Sequence, residues 1–341
     1  MSLQYICMAN DKLYKLIIKE LSEQIPKRYD DGTKTFAELD DWKNEELPRL
    51  LKKRFTSSHD KFTYITKAEL VNLMDWKLAK GTFRPSLPKL IKSNNEETVK
   101  EVTQRGFQNI LSYLKELPKH FWIEATEDEL QNYSKVIRST FKILCELKGV
   151  GPATASLLLS CLCSIFPRLA PPYFSDESFM YYIFDEANAD HTKKIKYSVK
   201  EYADELLPVY YDLLKEANSE LTPAVLEKGA WALKTYDLHQ DDTLVNVENP
   251  FEGDVKSGSW RKFEKPKKSV KTHVEDEKHL SKKTEPKKAT KRKLSEKEDV
   301  MHEKKDDKKR TKKESLKKDE AKKDEGKKKD AKKKGTKKLR S

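Results

Sequence analysis

The sequence predicts an all-α domain followed by a disordered, Lys-rich tail. Three observations carry that prediction. Apolar residues recur at helical spacing through residues 1–245, and no stretch sustains period-two alternation. Helix-start signals such as Thr66-Lys-Ala-Glu69 and Thr126-Glu-Asp-Glu129 precede apolar runs. Charge is also segregated. Residues 251–341 hold 36 Lys+Arg against 19 Asp+Glu, a net of +17, so the chain's overall +13 leaves −4 for residues 1–250.

The elements follow in order. A first helix covers about Asp11 to Gln24, with Leu13, Leu16, Ile17 and Leu21 on one face. A second runs near Phe36 to Arg54, interrupted or started by Pro48. A third begins after Thr66 and carries Leu70, Leu73, Met74 and Leu78. Pro85 and Pro88 punctuate a short segment, and Asn94–Asn95 cap a helix carrying Val99, Val102, Ile110, Leu111 and Leu114. The helix opened by Thr126 carries Tyr133, Ile137, Phe141 and Leu144 and stops at Leu147-Lys-Gly-Val-Gly151. An apolar helix from Pro152 to about Ile165 follows, then helices near 175–186, 198–218 and 222–238. The boundary falls at 245, with 246–341 as the tail.

Composition excludes several classes. No apolar run approaches the roughly 18 residues of a membrane span, and the N-terminal residues lack a secretory pattern. Cys7, Cys145, Cys161 and Cys163 form no C-x-x-C pair, which fits buried thiols in a reducing compartment. The histidines show no metal-ligand spacing, and no phosphate-cradling Gly-rich loop ending in Lys-Ser/Thr is present. After Phe263 the tail has no aromatic residue and cannot bury enough apolar surface to order itself. It attracts polyanions by counterion release, which points to DNA, chromatin or acidic proteins as partners. Pro286–Lys293 (PKKATKRK), with Lys287, Lys288, Lys291, Arg292 and Lys293, resembles a basic nuclear-import signal and implies a nuclear location.

The sharpest local pattern is Leu147-Lys148-Gly149-Val150-Gly151-Pro152-Ala153-Thr154-Ala155. Two glycines allow positive φ and close approach of backbone to a ligand. Pro152 suits the first position of a helix, where its missing N–H costs nothing. Exposed amides at Gly151 and Ala153, backed by the helix dipole, make a site for an anion such as a DNA phosphate. Leu147, Gly149, Val150, Gly151, Thr154 and Ala155 fill every marked position of L-x-G-[VI]-G-x-x-[TA]-A. The segment from Tyr133 to Ile165 therefore resembles the helix-hairpin-helix motif. That resemblance implies non-sequence-specific grip on the DNA backbone by Lys148–Gly151, Ala153 and Thr154. It also implies a monovalent cation held by hairpin carbonyls.

The same resemblance extends to the helix-hairpin-helix DNA glycosylases, all-α enzymes that flip bases. These carry an Asp downstream of the hairpin, and the corresponding candidate is Asp176. It lies 29 residues after Leu147, somewhat farther than usual, in Ser175-Asp-Glu-Ser-Phe-Met-Tyr181 where the family has V-D-x-x-V-x-R. The lyase lysine of that family is replaced by Ala153, and no Cys follows Cys163 to complete an iron–sulfur loop. Ser175 or Asp176 acting only as a helix cap remains an alternative. Leu73–Pro85 (LMDWKLAKGTFRP) also resembles a poorly characterised eukaryotic group with the pattern LMxWKLx[KR]GxFRP. Within it Trp76, Lys77, Lys80 and Arg84 are candidates for a DNA groove, and a buried Trp76–Phe83 pair is the alternative. Three functions stay open: DNA binding without chemistry, glycosylase-like base excision, and a protein-interaction module with a polybasic tail.

Overall fold

The structure is a computed structural model, and it describes residues 2–184, 194–217, 221–248, 250–251 and 258–264. The fold is all-α. Among the described residues the only β pairing is a lone bridge between Tyr29 and Lys34. The expected disorder of the tail and the import-signal lysines at 287–293 lie outside the described residues.

Helix α1 (Ser2–Met8) passes through a π turn (Ala9–Leu13) into α2 (Tyr14–Gln24), so the first helix starts earlier than the periodicity indicates. Helices α3 (Phe36–Asp41) and α4 (Leu47–Ser57) are likewise joined by a π turn, Trp42–Glu46. Pro48 follows that turn at once. Proline removes a helix N–H and crowds the carbonyl four residues back, and a widened turn relieves both. Pro208 follows the π turn Glu201–Leu206 in the same way. Then come α5 (Lys67–Lys80), α6 (Ser86–Lys92), α7 (Glu96–Glu116), α8 (Phe121–Glu124) and α9 (Glu127–Leu144). Thr66 and Thr126 each form the expected reciprocal cap, with Glu69 and Glu129.

Helix α10 (Pro152–Ser160) is buried from Ala153 onward and tightens into a 3-10 turn, Cys161–Ser164. Helices α11 (Asp176–Ile183), α12 (Leu207–Glu216) and α13 (Pro223–His239) complete the set. α13 is the central strut, packed against α11, α1, α2 and the first π turn. Its Gly229 is required by that contact, since a Cβ there would lie 2.1 Å from the Ile6 carbonyl oxygen.

The packed unit extends beyond the expected boundary at 245. Val247, Phe251 and Trp260 are buried in the same core, and the Trp260 ring stacks on Phe251 at 5.2 Å. These aromatics sit in sequence too polar to show helical periodicity, which is why the pattern placed the edge too early.

Candidate functional site

The turn between α9 and α10 is held by its surroundings. Leu147 and Val150 are buried. The Asn94 side chain clamps Lys148 from both sides, accepting from its N–H and donating to its carbonyl, each at 2.9 Å. Asn94 therefore serves the turn and does not cap α7. Gly149 has φ +81°, and a Cβ there would meet Leu90 and Ile91 of α6 at 3.1 and 3.2 Å. Glycine is needed on both counts. Gly151 differs from expectation. Its φ is −107°, an ordinary extended value, and the space beside it is open. It is the N-cap of α10 with Pro152 next, so its role is clearance rather than positive φ.

Among the described residues no hydrogen bond takes up the amides of Gly149, Gly151 or Ala153. The carbonyls of Leu147, Lys148 and Gly151 are engaged, whereas those of Gly149 and Val150 accept no hydrogen bond among the described residues. Lys148 is exposed, and so are Lys89 and Lys92 of α6, the helix whose Leu90 and Ile91 adjoin Gly149. The sequence pattern missed those two lysines, because only tertiary packing places α6 beside the turn.

Asp176 opens α11 and lines a narrow cleft of about 380 Å³, open solvent included. Lys77, Arg84, Glu177 and Tyr197 line it too. Neither Ser175 nor Asp176 acts as a side-chain cap. The Ser175 hydroxyl donates to Glu227 Oε1 at 2.7 Å, and α11 carries no side-chain cap bond. Asp176 Oδ2 instead accepts from the Tyr197 hydroxyl at 2.6 Å, and that oxygen accepts from Arg84 at 2.8 Å. The Arg84 guanidinium also lies over the Tyr197 ring at 4.9 Å. Tyr197 holds φ +55°, strained for a bulky residue, and no local signal in the sequence pointed to it. Burial and the Asp176 contact push its hydroxyl well above the usual tyrosine range, so it remains a proton donor.

Two further groups are shifted toward neutrality. Burial, reinforced by the adjacent Asp176 charge, raises the Glu177 carboxyl to about 7. Burial lowers the Lys77 ammonium to about 8, against the pull of Asp176. Lys77 Nζ donates to Thr154 Oγ1 at 3.3 Å, so one amine joins the first turn of α10 to the Asp176 cleft.

The groove candidates divide. Lys77 and Arg84 face the cleft and Lys80 reaches its inner wall, but Trp76 and Lys80 are too buried to contact DNA. Trp76 is fully buried with its indole N–H donating to Asp40 at 2.9 Å. Lys80 is buried in an ion pair with Glu227 at 3.1 Å, among the rings of Trp231, Trp76 and Tyr14. Helical periodicity explains the split, since Trp76 and Lys80 share an inward face four residues apart. Nor do Trp76 and Phe83 pair, because Phe83 is 62% exposed. Among the described residues no cluster of three His, Cys, Asp or Glu side chains suits a metal ion. No protein-family model, curated protein or solved structure matches the chain.

Proposed function

We propose that this protein is a nuclear DNA-binding protein that grips the duplex backbone at the 147–155 hairpin and cleaves an N-glycosidic bond at the Asp176 cleft. The observation that carries this reading is the Lys77 bridge, which joins Thr154 of the hairpin to the wall of the cleft. A backbone anchor linked to a cleft that holds a carboxylate is what a base-excising enzyme needs.

The chemistry divides among the cleft residues. The C1′–N bond breaks with its electron pair leaving on the base, and Glu177, protonated near neutrality, supplies the proton. The Asp176 carboxylate stabilises the cationic sugar and accepts a proton from the water that adds to C1′. Tyr197 and Arg84 orient Asp176. Lys148, Lys89 and Lys92 give the acidic body the local positive surface that phosphate contact requires, and the hairpin amides add to it. The Lys-rich tail adds salt-sensitive, long-range attraction to DNA or chromatin.

The test is base release from duplexes bearing a panel of modified bases, comparing wild type with Asp176→Asn. Release that the variant loses supports the reading, and release on no substrate removes the catalytic claim. The net charge of −4 over residues 1–250 favours one second reading, a module that binds acidic proteins through its tail. Loss of duplex affinity in a hairpin variant, with the tail intact, would exclude it.

A further inference from the structure

A second pocket lies apart from the Asp176 cleft, behind the far end of α10. Lys43, Asn44, Ser160, Cys163 and Lys228 line it, with Glu227 and Tyr173 at its inner wall. Its charges do not balance. Two carboxylates stand in this part of the interior, and each has a cation. Glu227 pairs with Lys80 at 3.1 Å, and Asp40 accepts from Tyr14, Asn44 and Trp76, with Lys15, which it shares with Asp41, at 3.5 Å.

Lys43 and Lys228 are left over. Lys43 is buried, and its ammonium has one neutral partner, Asn44 Oδ1 at 3.2 Å, and the Trp76 ring at 4.7 Å. The Lys228 ammonium lies over the Tyr14 ring at 5.4 Å, and among the described residues it takes part in no ion pair or hydrogen bond. Burial and then the Lys43 charge lower Lys228 to about 8, against the pull of Asp40 and Glu227. A ring face offsets only part of that cost. The other ionisable groups facing the pocket do not fill the gap. Burial raises the Cys163 thiol, so it stays neutral, and Glu45 on the exposed side is engaged with Arg49.

We propose that this pocket binds a small oxyanion of the phosphate type, held between the Lys43 and Lys228 ammonium groups. Two strongly hydrated point charges flanking one opening suit an anion with several equivalent oxygens. The site is independent of DNA binding. It lies at the opposite end of α10 from the hairpin, and of its lining residues only Tyr173 also lines the Asp176 cleft.

The experiment is thermal unfolding of the full chain at pH 7 in inorganic phosphate against chloride of equal ionic strength. The midpoint of wild type should rise with phosphate in a saturable way, by roughly 3–5 °C at a hundredfold excess over the dissociation constant. Lys228→Met should lose that rise while melting higher than wild type in chloride, because it removes an unpaired charge. Lys43→Met should lose it too, and if that variant does not fold, Lys228→Met decides alone. A wild-type midpoint that phosphate raises no more than chloride overturns the proposal. So does an equal rise in Lys228→Met, which would assign the effect to tail or surface lysines.

Discussion

Lys80 and Glu227 are separated by 147 positions in the chain and 3.1 Å in space, and both are almost completely removed from water. Breaking such a pair leaves an uncompensated buried charge, so Lys80→Met should cost about 3–5 kcal/mol in chemical denaturation. Replacing an exposed lysine such as Lys89 should cost far less. Glu177 behaves oppositely. Its carboxyl binds a proton more tightly folded than unfolded, so its contribution to stability is present at acid pH. That contribution is lost as pH rises from the ordinary carboxylate range through about 7. Glu177→Gln should therefore stabilise the protein by about 2–3 kcal/mol at pH 8 and by almost nothing at pH 4. If Glu177 is the proton donor, base release by wild type should also fall as pH rises through about 7, and Glu177→Gln should flatten that limb of the profile. A pH-independent stability difference would show that Glu177 carries no raised affinity for a proton.

At the scale of elements, the hairpin separates structure from function at two glycines only two positions apart. Gly149→Ala should destabilise the fold, because φ +81° and the contacts with Leu90 and Ile91 both oppose a Cβ. Gly151→Glu should fold normally, since open space surrounds that position, yet it should weaken duplex binding by placing a negative charge at the α10 N-terminus. Anisotropy titration against a short duplex, with melting curves as the control, checks both. The Thr66 and Thr126 caps, the end of α9 and the start of α10 at Pro152 were legible because each is a local signal. The continuous α1–α2 helix and the small helix α6 were not, since tertiary contact stabilises segments that lack a clean apolar stripe. Asp176 was singled out by its position downstream of the 147–151 turn, and it lines a cleft. Its partners Tyr197, Arg84 and Lys77 were brought to it by packing, which no local spacing encodes.

At the scale of the molecule, the proposed DNA contact combines a local surface on an acidic body with long-range attraction by a basic segment. A fragment ending at 264 is the appropriate comparison, because one ending at 245 would lose Phe251 and Trp260 from the core. The slope of log affinity against log salt for duplex DNA should be shallower for that fragment than for the full chain, by about 0.9 for each tail lysine engaged. Equal slopes would place the tail outside the DNA interaction. The proposed chemistry requires the Asp176 cleft to recognise the cationic sugar of a breaking N-glycosidic bond. Its most direct test needs no knowledge of the base removed. It measures the affinity of the full chain for a duplex with a cationic pyrrolidine in place of one nucleotide, against a duplex with a neutral tetrahydrofuran there. Binding to the cationic site should be about hundredfold tighter, with that preference lost in Asp176→Asn. Equal affinity for the two duplexes, or a preference that Asp176→Asn retains, would contradict it.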